Sequence, residues 1–429
     1  MIKNGLQVFN GKRLLMLQGP MGPFFRRFSR DFEKAGAEVY KINFNGGDWL
    51  FYPGDSILFR GSLEEWPAFF ERTLDKYKID MVFLFGDCRP VHRVVKAIAA
   101  RRGLKTGVFE EGYVRPDYIT LELYGTNGHS QLPRDPAFYL TQPVSNTSPT
   151  KPVGRGTYWY MAQWAVLYYI ASAVLRPIFP HYHHHRPLTL KEAFPWIRSA
   201  WRKYYYKMKE RGVQKKLAGG FDGKYFLVPL QVHNDSQIEV HSDFASARVF
   251  IENVVDSFKK HAPQDTILVI KHHPLDRGYV DYTHLIEQLI RKHALQKKLL
   301  YIHDQHLPTL LEHAQGVVVI NSTAGLSALD QGKPLKVLGS ALYNLNGLTF
   351  QGCLDDFWNQ AATVQLDRTL FYRFRRYVIA HTQLNGSYYR RLNSTDFGAG
   401  LVWGGADQNC TAEKKQFQSM EPIELIRLP

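Results

Sequence analysis

The sequence is poor in cysteine and in acidic residues. Its three cysteines, Cys88, Cys353 and Cys410, are spread over 429 residues with no Cys-x-x-Cys spacing. That pattern fits neither a disulfide framework nor a cysteine-rich structural zinc site, and it suits a reducing compartment. The opening stretch MIKNGLQVFNGKR lacks the apolar centre of a secretory signal, so a cytoplasmic location is expected. Mean hydropathy is negative, unlike a chain made largely of membrane spans. Acids are outnumbered: 54 Lys and Arg face 39 Asp and Glu, giving a formal charge of +15 and a pI near 9.5. Such a charge suits nucleic acid, anionic lipid or an anionic small substrate. Zinc-finger, RNP and strong helix-turn-helix patterns are missing, so nucleic acid is not expected, and lipid and substrate remain.

What is present describes a globular chain with two cores: 45% apolar, 14% aromatic and 22% charged residues. Residues 14–17 read as a buried strand, followed by the turn QGPMGP, a helical run with Phe24, Phe25, Phe28 and Phe32, and a second strand over 38–44. Strand, glycine turn, helix, strand is the signature of a parallel sheet. The rhythm continues with strands at 80–85 and 106–109 around a helix at 91–100. It restarts after a Ser/Thr/Pro/Gly-rich linker at 146–156, with strands at 225–230, 266–270, 299–302, 316–320 and 334–338. The expected fold is α/β and GT-B-like, two Rossmann-like domains facing a central cleft. The boundaries are 1–150 for the first domain, 151–220 for a linker and helical segment, 221–365 for the second domain, and 366–429 for a helical return and tail.

Residues 156–175 carry no formal charge and are rich in Tyr, Trp and Ala, with basic segments following over 186–216. The length fits a membrane span. An interfacial helix beside anionic lipid, or a buried hairpin between domains, fits the same residues.

Ligands of open α/β sheets bind beyond the carboxyl ends of strands. Four such loops carry useful chemistry. Glu110 and Glu111, then Gly112, follow the strand at 106–109. They suit a general acid/base for a hydroxyl proton, although helix capping also selects acids. Gln231 to Gln237 sets Asp235 among amides and a hydroxyl, where hydrogen bonds hold a carboxylate ionised and oriented as a nucleophile; a polar Asx turn uses the same residues. Lys271, His272, His273 and Pro274 end the strand at 266–270, where His273 can point at a phosphate or ribose oxygen. Asn321, Ser322, Thr323, Ala324 and Gly325 open a helix, as an anion loop or as plain capping. The His272–His273 pair lacks a third ligand at metal spacing, and the tract His181, His183, His184 and His185 reads as a loop, so no metal is expected.

Taken together, the segments LLMLQGPMGPFFRRF, INFNGGD, FEEGYVRPDYITLE, VPLQVHNDSQI, KHHP and NSTAGLSALDQGKP resemble the GT-B CMP-sugar transferases. They are most similar to the capsular polysaccharide proteins of KpsS (LipB) type, β-Kdo transferases of group 2 capsule assembly. The resemblance covers roughly residues 14–338. It implies a CMP-Kdo donor, a phosphatidylglycerol or lysophosphatidylglycerol acceptor, and retention of the β configuration. Asp235 would be the nucleophile and Glu110 the acid/base. His273, Pro274, Lys271, Gln231, Asn321, Ser322, Thr323 and Gly325 would hold the donor. Gln18, Gly19, Gly22, Asn45, Asp48, Glu111 and Arg115 would face the acceptor. Glu111 stands where many relatives have aspartate, which leaves open which acid acts. No cofactor is implied, because one phosphate leaving as CMP calls for cationic or N–H donors rather than a chelated metal. Implied partners are the anionic inner face of the cytoplasmic membrane and other capsule assembly proteins. Two other readings compete. A polyglycerol-phosphate-type (CDP-glycerol) transferase would not need a carboxylate at Asp235, and a non-catalytic scaffold of capsule export would tolerate its loss.

Overall fold

A computed structural model describes residues 5–403 except 146, 155, 183–192, 234, 235, 393, 394 and 396. Two sheets organise the chain. The first half contains strands β1 (Arg13–Met16), β2 (Glu38–Asn43), β3 (Ile57–Leu58), β4 (Met81–Phe85), β5 (Lys105–Glu111) and β6 (Tyr118–Leu123). Its helices are α1 (Phe24–Lys34), α2 (Gly46–Phe51), α3 (Trp66–Tyr77), α4 (Pro90–Arg101) and α5 (Pro136–Thr141). Three helices lead across: α6 (Thr157–Val174), α7 (Ala193–Lys209) and α8 (Val213–Ala218). The second half contains β7 (Tyr225–Pro229), β8 (Ile267–Lys271), β9 (Leu299–Ile302), β10 (Gly316–Val319) and β11 (Leu335–Val337). Its helices are α9 (Ser236–His241), α10 (Ala247–His261), α11 (Thr283–His293), α12 (Leu307–His313), α13 (Ala324–Asp330) and α14 (Leu354–Gln360). The chain then returns through α15 (Arg368–Thr382) to β12 (Gln383–Asn385), which pairs antiparallel with β6.

The strands form because their residues are apolar on both faces, as a parallel sheet covered by helices requires. Leu14, Met16 and Phe83 face one layer of the first half; Leu15, Leu17, Val82 and Leu84 face the other. The second half repeats this, with Leu227, Val269 and Val317 on one side and Phe226, Val228, Leu268 and Val318 on the opposite side. The seven-stranded sheet runs β12-β6-β5-β4-β1-β2-β3 and the five-stranded sheet β11-β10-β7-β8-β9. Strand order therefore reverses between β1 and β4 in one half and between β7 and β10 in the other. Ligand crevices open at such switch points. Two Rossmann-like halves facing a cleft are the GT-B-like arrangement expected from the sequence.

The aromatic helix α6 is fastened to the first half by the segment NGGD. Asn45 caps α2 by accepting from Asp48 N–H at 2.9 Å, and its amide donates to Tyr168 Oη at 2.6 Å. Asp48 accepts from the Phe44 N–H at 3.1 Å and from Tyr168 Oη at 3.2 Å. Burial pushes the Asp48 carboxyl up and brings the neighbouring Lys41 down to about 8. The two glycines let the helices touch: a Cβ on Gly46 would lie 2.3 Å from the Ala171 carbonyl, and one on Gly47 would lie 2.5 Å from the Tyr168 ring. Because the Gly46 obstacle is backbone, Gly46→Ala is expected to cost about 1–3 kcal/mol, as overpacking does, read as a lower denaturant midpoint. An unchanged midpoint would refute this packing.

Among the described residues no helix is long and apolar enough to cross a membrane. The α6 helix buries Tyr168, Tyr169 and Ser172 and leaves Tyr158, Trp159, Leu167, Ile170 and Val174 exposed. Beside it, α7 exposes Phe194, Ile197, Trp201, Tyr204 and Met208, interleaved with Lys203, Lys207 and Lys209.

Candidate active site

The two switch points are each closed by one side-chain pair. In the first half, Gln18 follows β1 and Arg89 follows β4, and Arg89 Nη1 donates to Gln18 Oε1 at 2.9 Å. In the second half, Gln231 follows β7 and Asn321 follows β10, and Gln231 Nε2 donates to Asn321 Oδ1 at 2.8 Å. Both pairs border one cleft of about 1,100 Å³ between the halves. That cleft gathers Gln18, Glu110, Glu111 and Arg115 from the first half with Gln231, His273, Pro274, Asn321, Ser322 and Thr323 from the second.

Glu110 and Glu111 are the last residues of β5. Gly112 follows because the chain doubles back tightly: a Cβ there would sit 2.0 Å from the Tyr118 carbonyl oxygen. Buried Tyr388 fixes the Glu110 backbone, donating to its carbonyl at 2.6 Å, and Tyr389 Oη donates to Glu111 Oε1 at 3.1 Å. Burial and these acids push both tyrosine hydroxyls up, so they stay protonated donors. Tyr388 and Tyr389 come from the returning segment after β12, far from the acids in sequence.

His273 follows β8 by two residues and caps the short turn Pro274–Asp276, its Nδ1 accepting from Leu275 N–H at 3.2 Å. The ring's hydrogen is then on Nε2, free to donate. Burial, with Lys271 and Arg115 nearby, lowers its pKa to about 4, so the ring is neutral at pH 7. Arg115 reaches this neighbourhood from the opposite half, its Nε donating to the Gly112 carbonyl at 3.2 Å. Ser322 Oγ accepts from Ala324 N–H at 3.2 Å. The loop before α9 is anchored at His233, whose N–H and Nδ1 meet the Asp276 carboxylate at 2.5 and 2.7 Å.

Six expected site residues lie away from the cleft lining. Asn45 and Asp48 are buried in the α6 fastening described above. Gly19 packs under the Phe25 ring, where a Cβ would lie 2.8 Å away, and Gly22 takes φ +111 against Trp164. Lys271 is buried beneath the His-Pro loop, where desolvation lowers it to about 8 against the pull of Asp304 and Glu210. Gly325 is a packing glycine: a Cβ there would meet the Tyr343 hydroxyl at 2.4 Å. Asp235, the histidine tract at 183–185 and Cys410 lie outside the described residues. Arg89, Tyr388 and Tyr389 line the cleft without having stood out in the sequence, since no motif marks them.

Residues 80–389 match the capsule polysaccharide biosynthesis protein family. The chain is also 42% identical to the capsule polysaccharide export protein KpsS of Escherichia coli over 90% of this chain and 99% of that protein. It belongs to the capsule polysaccharide biosynthesis family. Another relative, the capsule polysaccharide modification protein LipB of Neisseria meningitidis serogroup A, is 40% identical over 91% of this chain and 95% of that one. Among solved structures, the KpsC β-Kdo 2,7 transferase of Thermosulfurimonas dismutans aligns over 92% of this chain and 96% of that one, at 15% identity and a TM-score of 0.41. Within this capsule protein, the family match spans most of the cleft-lining loops, from β4 to Tyr389.

Proposed function

We propose that this capsule protein is a retaining β-Kdo transferase, moving Kdo from CMP-Kdo to phosphatidylglycerol or lysophosphatidylglycerol at the inner face of the cytoplasmic membrane. The observation that carries the reading is the cleft itself, in which an acid pair from one half faces an N–H and hydroxyl cluster from the other. The second half would hold CMP. Neutral His273 can donate through Nε2 to the phosphate, and Asn321, Ser322 and Thr323 add polar atoms around it. These donors match a single-phosphate leaving group, which offers no diphosphate for Mg²⁺ to chelate. Arg115 and Arg89 line the same cleft and suit the negative charges of the donor. Glu110, from the first half, would take the proton of the acceptor hydroxyl.

This assignment is tested by calorimetry with CMP in Mg²⁺-free buffer. His273→Ala and Ser322→Ala are each expected to weaken binding by about 1–3 kcal/mol, the cost of a lost hydrogen bond to a charged group. Unchanged affinity in both variants would sink it.

The lipid end of the reading is supported by the exposed faces of α6 and α7. Aromatic and aliphatic side chains interleaved with lysines suit an anionic bilayer surface. Tyr158 and Met161, in the first turns of α6, also line the cleft, so the ridge begins at the cleft mouth. Binding to phosphatidylglycerol vesicles should weaken as salt rises. Replacing Lys203, Lys207 and Lys209 should weaken it about fivefold per lysine, given about 1 kcal/mol for each basic residue near such a surface. Salt-independent binding that survives alkaline carbonate would contradict peripheral attachment.

A further inference from the structure

At the base of the cleft the halves meet through a thiol and two imidazoles. Cys88 follows β4, His129 ends the turn Asn127–His129 beyond β6, and His241 is the last residue of α9. Their ligand-capable atoms all lie within 4.8 Å of one another, and this is the one such group among the described residues. Cys88 Sγ stands 3.6 Å from His241 Nε2, and the two histidine rings are 4.3 Å apart at 76°. Tetrahedral zinc, with bonds of about 2.3 Å to sulfur and about 2.0 Å to nitrogen, separates a sulfur and a nitrogen ligand by about 3.5 Å. The observed spacing is that of a ligand edge.

The surroundings are those of a metal site rather than of loose surface histidines. Asp87, buried, lies with Oδ2 2.9 Å from His129 Nδ1, the carboxylate–histidine arrangement that orients an imidazole and leaves its other nitrogen for a metal. Lys96 Nζ bonds the same carboxylate at 2.7 Å and lies 3.0 Å from His129 Nδ1. We assign the Nδ1 hydrogen to the Asp87 contact, because Lys96 already has that carboxylate as its partner. Gly128 lies flat on the His241 ring, where a Cβ would be 2.4 Å from Nδ1.

We propose that Cys88, His129 and His241 bind one divalent ion of the zinc class, which ties the two halves together at the floor of the cleft. Thiolate and imidazole ligands select zinc-like ions over Mg²⁺. Binding exchanges the Cys88 thiol proton for the metal and releases that proton to solvent. Cys88 and the neighbouring Asn127 line the cleft, so the site borders it. The site was invisible to spacing rules because its ligands come from separate elements of both halves, far apart in sequence, and it stands whether or not the transferase reading holds.

The test uses the full-length protein stripped by a chelator, then titrated with Zn²⁺ alone against a chromophoric competitor and, separately, with Co²⁺. One Zn²⁺ per chain is expected, together with a thiolate-to-cobalt charge-transfer band that Cys88→Ser abolishes. His241→Ala should weaken Zn²⁺ binding at least about a hundredfold, and Asp87→Asn, acting through His129, about ten- to a hundredfold. A variant with His181, His183, His184 and His185 all replaced by Ala should keep the site. Absence of the thiolate band in the unmodified protein would overturn the proposal even if every variant misfolded. So would Zn²⁺ binding that survives His241→Ala but vanishes with the histidine tract.

Discussion

Glu110→Gln is expected to lower the transfer rate at least about a hundredfold, the lower range for losing a general acid/base, with CMP affinity and thermal midpoint unchanged. Glutamine keeps the size of the side chain and can still accept from the Glu111 N–H, which meets Glu110 Oε1 at 3.1 Å. What it cannot do is take a proton. The neighbouring acid is the control. Successive strand residues point to opposite sides, and the structure separates the two accordingly. Glu110 leans toward Gly86, where its Oε2 and Arg89 Nε lie 3.7 and 3.5 Å from the position a Cβ would occupy. Glu111 is instead held by Tyr389. Initial rates with CMP-Kdo and a fluorescent phosphatidylglycerol analogue should therefore fall much further in Glu110→Gln than in Glu111→Gln. The reverse order would move the role to Glu111, and near-normal rates in both would remove the acid pair from the chemistry.

The sequence was most legible where physics permits one solution. MVFLF at Met81–Phe85 and GVVV at Gly316–Val319 are short, apolar on both faces and rich in β-branched or aromatic residues, the combination a covered parallel strand uses. By contrast β12 is three residues, Gln383–Asn385, polar enough to read as loop. It becomes a strand because α15 carries it back to the free edge of β6, where Leu384 fills the first core. Tyr388 and Tyr389 follow directly from that return, so no local pattern could link them to Glu110 and Glu111. The loops at 231 and 321 were each recognisable as polar strand ends, where ligands of open sheets bind, but their meeting follows from the sheet order, which sets β7 beside β10. Asn45 and Asp48 sent the same polar signal from the end of β2, yet they serve a helix cap and a buried hydroxyl network. One amide and one carboxylate look alike in sequence whether they meet a ligand or Tyr168. Only the position of α6 tells the two uses apart.

Asp235→Asn is the second substitution expected to cost at least about a hundredfold in transfer rate, for a different reason. Retention through two inversions requires a carboxylate to attack the anomeric carbon while the bond to the CMP phosphate oxygen breaks, leaving a covalent Kdo–enzyme ester. The acceptor oxygen, its proton passing to Glu110, then displaces the carboxylate from the same face that CMP left. Asparagine lacks the charge for the first step, so the variant should neither turn over nor label. The chain leading to this residue is anchored on the second-half side of the cleft: Gln231 is tied to Asn321, Val232 lines the cleft and His233 is held by Asp276. Incubating Glu110→Gln with CMP-Kdo, with the second step slowed, should accumulate the ester, visible by intact mass as one added Kdo and mapping to Asp235 after digestion. The double variant should show none. An adduct on another residue would move the nucleophile. A product of inverted configuration would replace the two-step route with a single displacement, in which Glu110 is the base and Asp235 only steadies the charge on the sugar ring.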